Sequence, residues 1–155
     1  MKAKTLVLTL VVWFVVGALC LAASSQLGTW KLNEPKSKFM PGTGKNTTVV
    51  YTDSMGGKVK ITTDGIDAQG NPAHSEWTGK FDGKDYAVTG DPNSDMRSYT
   101  KVDDRTLDFV VKKAGKTTAK GRVVISADGK SRSVSVSGTD AKGEKFQNTA
   151  VYDKH

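Results

Sequence analysis

Two ionisable side chains, His74 and Glu76, are spaced so that they could act as a general acid and a general base. They alternate with Ser75 and Trp77 in a segment with the period of a β-strand, so both point to the face opposite Trp77. A general acid and a general base that act on one substrate must lie close together. No nucleophile or third catalytic group accompanies them, and alternating polar residues are typical of a solvent-facing strand. We therefore predict that the protein is not an enzyme, with a His74 and Glu76 site as the alternative.

The oxygen-bearing residues Asp91, Asn93 and Asp95 have the alternating spacing of a calcium loop. Met96, however, stands where such a loop needs a glycine, and Val102 stands where it needs a bidentate glutamate. The chain has two histidines and one cysteine, which is too few ligands for a structural zinc site. We predict no metal site and no cofactor.

Eight aromatic side chains are predicted to face the inside of the fold and to form its ligand-binding surface. In a small barrel, inward aromatic rings either fill the interior or line a pocket. Buried tyrosine hydroxyls need polar partners, which favours an interior with polar contacts or water. The predicted ligand-binding residues are Trp30, Trp77, Phe81, Tyr86, Tyr99, Phe109, Phe146 and Tyr152.

Short strands with a period of two carry these residues. Leu107, Phe109 and Val111 share one face of a segment, and Val134 and Val136 stand between serines in another. Glycine-containing turns at 56–57, 82–83 and 128–129 separate such runs and are typical of hairpins. The pattern predicts an all-β fold, a single antiparallel up-and-down meander of about eight to ten strands closed into a barrel. A two-sheet β-sandwich is the alternative.

The first part of the chain has the features of an export signal. Lys2 and Lys4 precede an apolar run over residues 6–21, and the small residues 22–25 follow it. The run is shorter than the ~20 residues that span a bilayer. We predict a signal peptide over residues 1–23 that is cleaved, a single β-barrel domain over 24–155, no membrane span after cleavage, and a periplasmic or secreted location. Cleavage removes Cys20, so the mature chain has no disulfide.

Charge excludes one class of partner. Of 23 basic residues, removal of Lys2 and Lys4 leaves 21 against 16 acidic residues, a net charge of +5. These charges are spread along the strands, whereas binding of nucleic acid requires a basic stripe with exposed aromatic rings. We expect a monomer that binds no nucleic acid.

The two ends of the mature chain resemble calycins, the lipocalins and fatty-acid-binding proteins. Residues 28–32, Gly-Thr-Trp-Lys-Leu, are similar to their first strand, and residues 148–154, Asn-Thr-Ala-Val-Tyr-Asp-Lys, are similar to the last strand of the fatty-acid-binding branch. The chain also resembles a group of exported bacterial proteins that share these patterns. The resemblance implies a calycin-like barrel with a small molecule in its interior.

The chain also departs from that family. Ala150 occupies the position of the arginine that holds a carboxylate in the fatty-acid-binding branch, and about a dozen residues replace the helical lid. The arginine that covers the calycin tryptophan has no clear counterpart, and Lys145 or Lys154 is expected to replace it. We predict an exported protein that holds an apolar or amphipathic ligand. The alternative is a solid barrel that acts through its surface as an envelope interaction or inhibitor module.

Overall fold

The computed structural model describes residues 25–155, which form ten β-strands and two short 3-10 turns. The strands are β1 (Gly28–Leu32), β2 (Lys45–Ser54), β3 (Lys58–Ile66), β4 (Pro72–Gly79), β5 (Tyr86–Thr89), β6 (Met96–Lys101), β7 (Thr106–Lys113), β8 (Lys116–Ile125), β9 (Ser131–Thr139) and β10 (Lys145–Lys154). The 3-10 turns cover Glu34–Lys36 and Met55–Gly57, and neither could cross a membrane. The predicted signal peptide over residues 1–23 lies outside the described residues.

The strands form one closed antiparallel barrel. Each strand pairs with its neighbours in the chain, and β1 also pairs with β10. Trp30 marks this seam, because its partners are Lys154 on β10 and Val49 on β2. The predicted up-and-down barrel is confirmed, and the sandwich alternative is wrong. Closure leaves no strand edge open to another chain.

The two ends of the barrel differ. We call the end at which the chain reaches Gly28 the near end; the connections β2–β3, β4–β5, β6–β7 and β8–β9 also lie there. The segment before β1 crosses this end, since the Ser25 hydroxyl donates to the carbonyl oxygen of Asp104 in the β6–β7 connection. Trp30 Nε1 donates to the carbonyl oxygen of Gln26 at 2.8 Å. The other five connections lie at the opposite end, the far end.

Glycine allows the strands to coil tightly. A Cβ atom on Gly121 would lie 2.3 Å from Cζ of Phe109, so this ring covers the space that the glycine leaves. At Gly79 a Cβ atom would lie 2.5 Å from the Trp77 ring and 2.6 Å from the Tyr86 ring. Both glycines therefore leave room for an inward ring that a side chain at either position would displace.

Candidate functional site

Five of the eight predicted ligand-binding residues form one continuous aromatic cluster. The centre of the Trp77 ring lies 4.9 Å from that of Tyr99, 5.7 Å from that of Tyr86 and 6.2 Å from that of Phe81. Tyr99 continues the cluster to Phe109 at 5.7 Å. Trp77 and Tyr99 are buried, whereas the other three rings are half-buried. The cluster thus joins strands from β4 to β7.

Trp30 and Tyr152 belong to a second group of rings, which surrounds a buried arginine. Arg132 faces the interior from β9, and only 2% of its surface is exposed. Its guanidinium lies 4.8 Å from the Trp30 ring, 4.8 Å from the Tyr51 ring and 5.0 Å from the Tyr152 ring. Within residues 25–155, its Nε and Nη1 have no hydrogen-bond acceptor. We call these four residues the arginine cage.

The arginine cage corrects one prediction. Lys154 does lie over Trp30, with Nζ 5.0 Å from the ring centre. Lys145 is instead exposed at the far end, and Arg132 is the arginine that packs on the tryptophan. Alternation could have identified Arg132, because it stands two residues before the inward-facing Val134.

A second arginine, Arg97 on β6, also faces the interior. It shares a strand face with Tyr99, and 14% of its side chain is exposed. Its Nη2 lies 3.4 Å from Oδ2 of Asp91 in the β5–β6 connection, a carboxylate that is 24% exposed. Its Nε is buried without an acceptor in the described chain. Burial by itself would lower the pKa of Arg97. The interactions with Tyr99 and Asp91 raise the pKa by more than burial lowers it, so the net shift is upward and the guanidinium stays charged.

Two buried tyrosines, Tyr51 and Tyr152, interact electrostatically with the interior arginines. Burial raises the pKa of Tyr51 well above its ordinary value, although Arg132 and Arg97 both act to lower it. Burial also raises the pKa of Tyr152 to about 12, and its hydroxyl donates to the carbonyl oxygen of Asn46 at 3.0 Å. Both tyrosines therefore remain neutral at physiological pH, and Asp91 is the carboxylate that pairs with Arg97.

The far half of the interior is polar as well. The hydroxyls of Thr63 and Ser75 are 2.6 Å apart on adjacent strands, and both residues are buried. Asn148 is buried, and its Oδ1 accepts the backbone N–H of Met40 at 2.8 Å. Phe146, the remaining predicted ligand-binding residue, is half-buried and lines a depression beside Met40.

The candidate calcium loop has other roles. Oδ1 of Asp91 accepts the backbone N–H of Asn93 at 2.9 Å, and its other oxygen faces Arg97. Oδ2 of Asp95 accepts the backbone N–H of Ala114 at 2.8 Å, in the β7–β8 turn, while its Oδ1 is buried. Within residues 25–155 no group of three or more His, Cys, Asp or Glu residues could hold a metal ion.

His74 and Glu76 do lie together, but on the exposed outer face. His74 Nδ1 is 2.6 Å from Asp64 Oδ1, and its Nε2 is 3.8 Å from Glu76 Oε1. Lys60 pairs with Glu76 at 2.8 Å. The Asp64 hydrogen bond raises the pKa of His74, and the Lys60 hydrogen bond lowers that of Glu76. Each shift favours the charged form of its group, as in a surface ion-pair ladder.

Comparison with known proteins gave distant structural likenesses only. Neither a protein-family model nor a curated protein sequence matches the chain. Among solved structures, the chain is similar to a redesigned β-barrel, mFAP1, bound to DFHBI, with 15% identity and a TM-score of 0.48, covering 86% of this chain and 98% of that one. It is also similar to EF1p2_mFAP2b bound to DFHBI, with 13% identity, a TM-score of 0.48, and coverage of 86% and 97%. The fold assignment rests on the strand pairing of the chain itself.

Proposed function

We propose that this protein is exported and that its barrel binds a small amphipathic molecule, with an anionic group of the ligand at Arg97 and the apolar part against the aromatic cluster. The observation that carries the proposal is the pair of buried guanidinium groups with unpaired N–H donors. Asp91 pairs with Arg97, and within residues 25–155 no carboxylate pairs with Arg132. An interior with excess positive charge and free donors attracts an anion.

Burial energetics favour a ligand over simple packing. A buried cation with unsatisfied hydrogen-bond donors lowers the stability of the fold by several kcal/mol. Apolar residues of the same volume would avoid this loss. In Arg132 the three surrounding rings offset part of this cost, at ~1 kcal/mol or more each. Within residues 25–155, Arg97 has no such ring cage. Its unpaired Nε and the 14% of its side chain that is exposed make it the better ligand contact.

The export part of the proposal rests on the basic, apolar and small-residue order of the first 25 residues. A mature chain without cysteine is compatible with an oxidising compartment, because it cannot form wrong disulfides. Fractionation of the native host tests this part. We expect the protein in the periplasm or medium, with an N-terminus near residue 24, and recovery of the uncleaved chain from the cytoplasm would contradict it.

Binding in the interior is tested with 11-(dansylamino)undecanoic acid, whose fluorescence increases in an apolar environment, and with its uncharged methyl ester. We expect the acid to bind at least tenfold more tightly than the ester, since a charge-assisted hydrogen bond contributes about 1.5–3 kcal/mol. Arg97→Gln should remove this preference. Arg122→Gln is the matched control, because Arg122 is an exposed arginine paired with Asp108 on the outer face. Equal binding of acid and ester, or an equal loss in both variants, would refute an anion site at Arg97.

A solid barrel that acts through its surface is the second candidate. The burial of Trp30, Trp77 and Leu107 favours it, because these side chains fill much of the interior. This candidate predicts that neither dansyl probe binds and that no small molecule is released from protein purified from its host.

A further inference from the structure

The seam between β1 and β10 is paired along part of β10 only. β1 pairs with residues 152–154 of β10, although β10 begins at Lys145. Within the described chain, the edge of β10 over residues 145–151 therefore has no neighbouring strand on this side, and its backbone N–H groups need other acceptors. The β1–β2 connection, residues 33–44, lies along this edge. We call this connection the strap.

Oxygen atoms of the strap accept two amides of this edge. The N–H of Val151 donates to Oγ of Ser37 at 2.9 Å. Lys38 and Thr149 exchange two backbone hydrogen bonds, at 2.7 and 2.8 Å. The N–H of Asn33 donates in return to the carbonyl oxygen of Val151 at 2.8 Å. The strap thus takes the place of a paired strand for this part of β10.

Met40 covers the next amide of the edge with sulfur instead of oxygen. The N–H of Gln147 donates to Sδ of Met40 at 3.1 Å. The backbone N–H of Met40 donates to Oδ1 of Asn148 at 2.8 Å, so Met40 is held on β10 by its backbone and by its side chain. A thioether is a weak acceptor. Met40 is also 42% exposed, which opens it to small molecules in solution.

An exposed thioether reacts with peroxides. The sulfur donates an electron pair to one oxygen of hydrogen peroxide, and an S–O bond forms as the O–O bond breaks. The departing hydroxide takes the proton from the transferred oxygen and leaves as water. The sulfur is thereby oxidised to a sulfoxide, which is polar and chiral, and the peroxide is reduced.

The sulfoxide at Met40 is a poorer partner for Gln147. An oxygen on the sulfur lone pair that faces Gln147 would need the space between Sδ and N. An oxygen on the other lone pair withdraws electrons from the sulfur. Both products weaken the hydrogen bond that ends the contact of the strap with β10. We propose that Met40 is an oxidation site for peroxides and that its sulfoxide releases the strap from β10.

Met96 allows location to be separated from exposure. It is 41% exposed, nearly as much as Met40, but it lies on β6, across the barrel from β1. Peroxide should therefore oxidise both residues. Only the sulfoxide at Met40 should change the hydrogen bonding of β10.

The test treats the mature protein with hydrogen peroxide, locates sulfoxides by peptide mass spectrometry and measures amide hydrogen exchange by NMR. We expect oxidation to speed exchange at Gln147 about three- to tenfold, as for the loss of one hydrogen bond. Methionine sulfoxide reductases for both epimers should restore slow exchange in the same sample. Because the reductase step needs no variant, it decides the proposal even where a substitution prevents folding.

Two variants complete the test. Met40→Leu removes the sulfur, so the untreated variant should already show the fast Gln147 exchange of the oxidised protein, with no further change on addition of peroxide. Met96→Leu is the matched control and should respond to peroxide as the unsubstituted protein does.

Three results would overturn the proposal: oxidation of Met96 without oxidation of Met40, unchanged or slower exchange at Gln147 once Met40 is oxidised, or an equal increase with peroxide in Met40→Leu. The oxidation site and the interior site are independent. Arg97→Gln is expected to leave the response to peroxide unchanged, so failure of either proposal can be recognised separately.

Discussion

Replacement of Asp91 by asparagine should make the barrel less stable and a better binder of anions. Asp91 holds the position on Arg97 that the ligand anion would take, with 3.4 Å between Oδ2 and Nη2. At this distance, two unit charges attract by about 5 kcal/mol at an effective dielectric constant of about 20. The solvent exposure of both side chains and their loss of hydration reduce the net value to about 1–2 kcal/mol.

Asp91→Asn therefore should tighten binding of the dansyl acid about tenfold, which corresponds to about 1.4 kcal/mol. Binding of the uncharged ester should not change. The same substitution should lower the free energy of unfolding by about 1 kcal/mol, measured by urea denaturation. Asp53→Asn, at an exposed position on β2, controls for loss of a surface carboxylate. Unchanged or weaker binding of the acid by Asp91→Asn would refute the idea that Asp91 competes with the ligand for Arg97.

Three further predictions concern the scaffold. Gly121→Ala should lower the free energy of unfolding by about 3 kcal/mol or more, because its Cβ would lie 2.4 Å from the carbonyl oxygen of Ser135, in a backbone that cannot move aside. A urea midpoint equal to that of the unsubstituted protein would contradict this. Ala114→Gly should raise the free energy of unfolding by about 0.5–1 kcal/mol, since Ala114 has a φ of 48°, and a lower urea midpoint would count against it. An NMR titration should give His74 a pKa above its ordinary value, and Asp64→Asn should return it. Because the pKa is raised on folding, the stabilisation by His74 is complete below the unfolded pKa and is lost as the pH rises through the folded one; a titration unaffected by Asp64→Asn would show that Asp64 is not the cause.

Much of the interior could be predicted from alternation alone. The period of two placed Trp77 and Tyr99 inside, and the structure puts both in one aromatic cluster. The same period implies that Arg132 faces inward with Val134, and Arg97 with Tyr99. These arginines were missed because charged residues are expected on solvent-facing positions. Of the two lysines expected over Trp30, Lys154 lies there and Lys145 does not. Arg132, which was not expected, lies over the same ring.

The sequence by itself determined the class of structure. Alternation and glycine-containing turns decide which side of a strand is buried and where the chain reverses, since both are local properties. Tertiary structure alone decided the pairing of β1 with β10 and the convergence of Trp30, Tyr51 and Tyr152 on Arg132. These features depend on the stagger and coiling of strands far apart in the chain, and no local pattern encodes how such strands meet once the barrel closes.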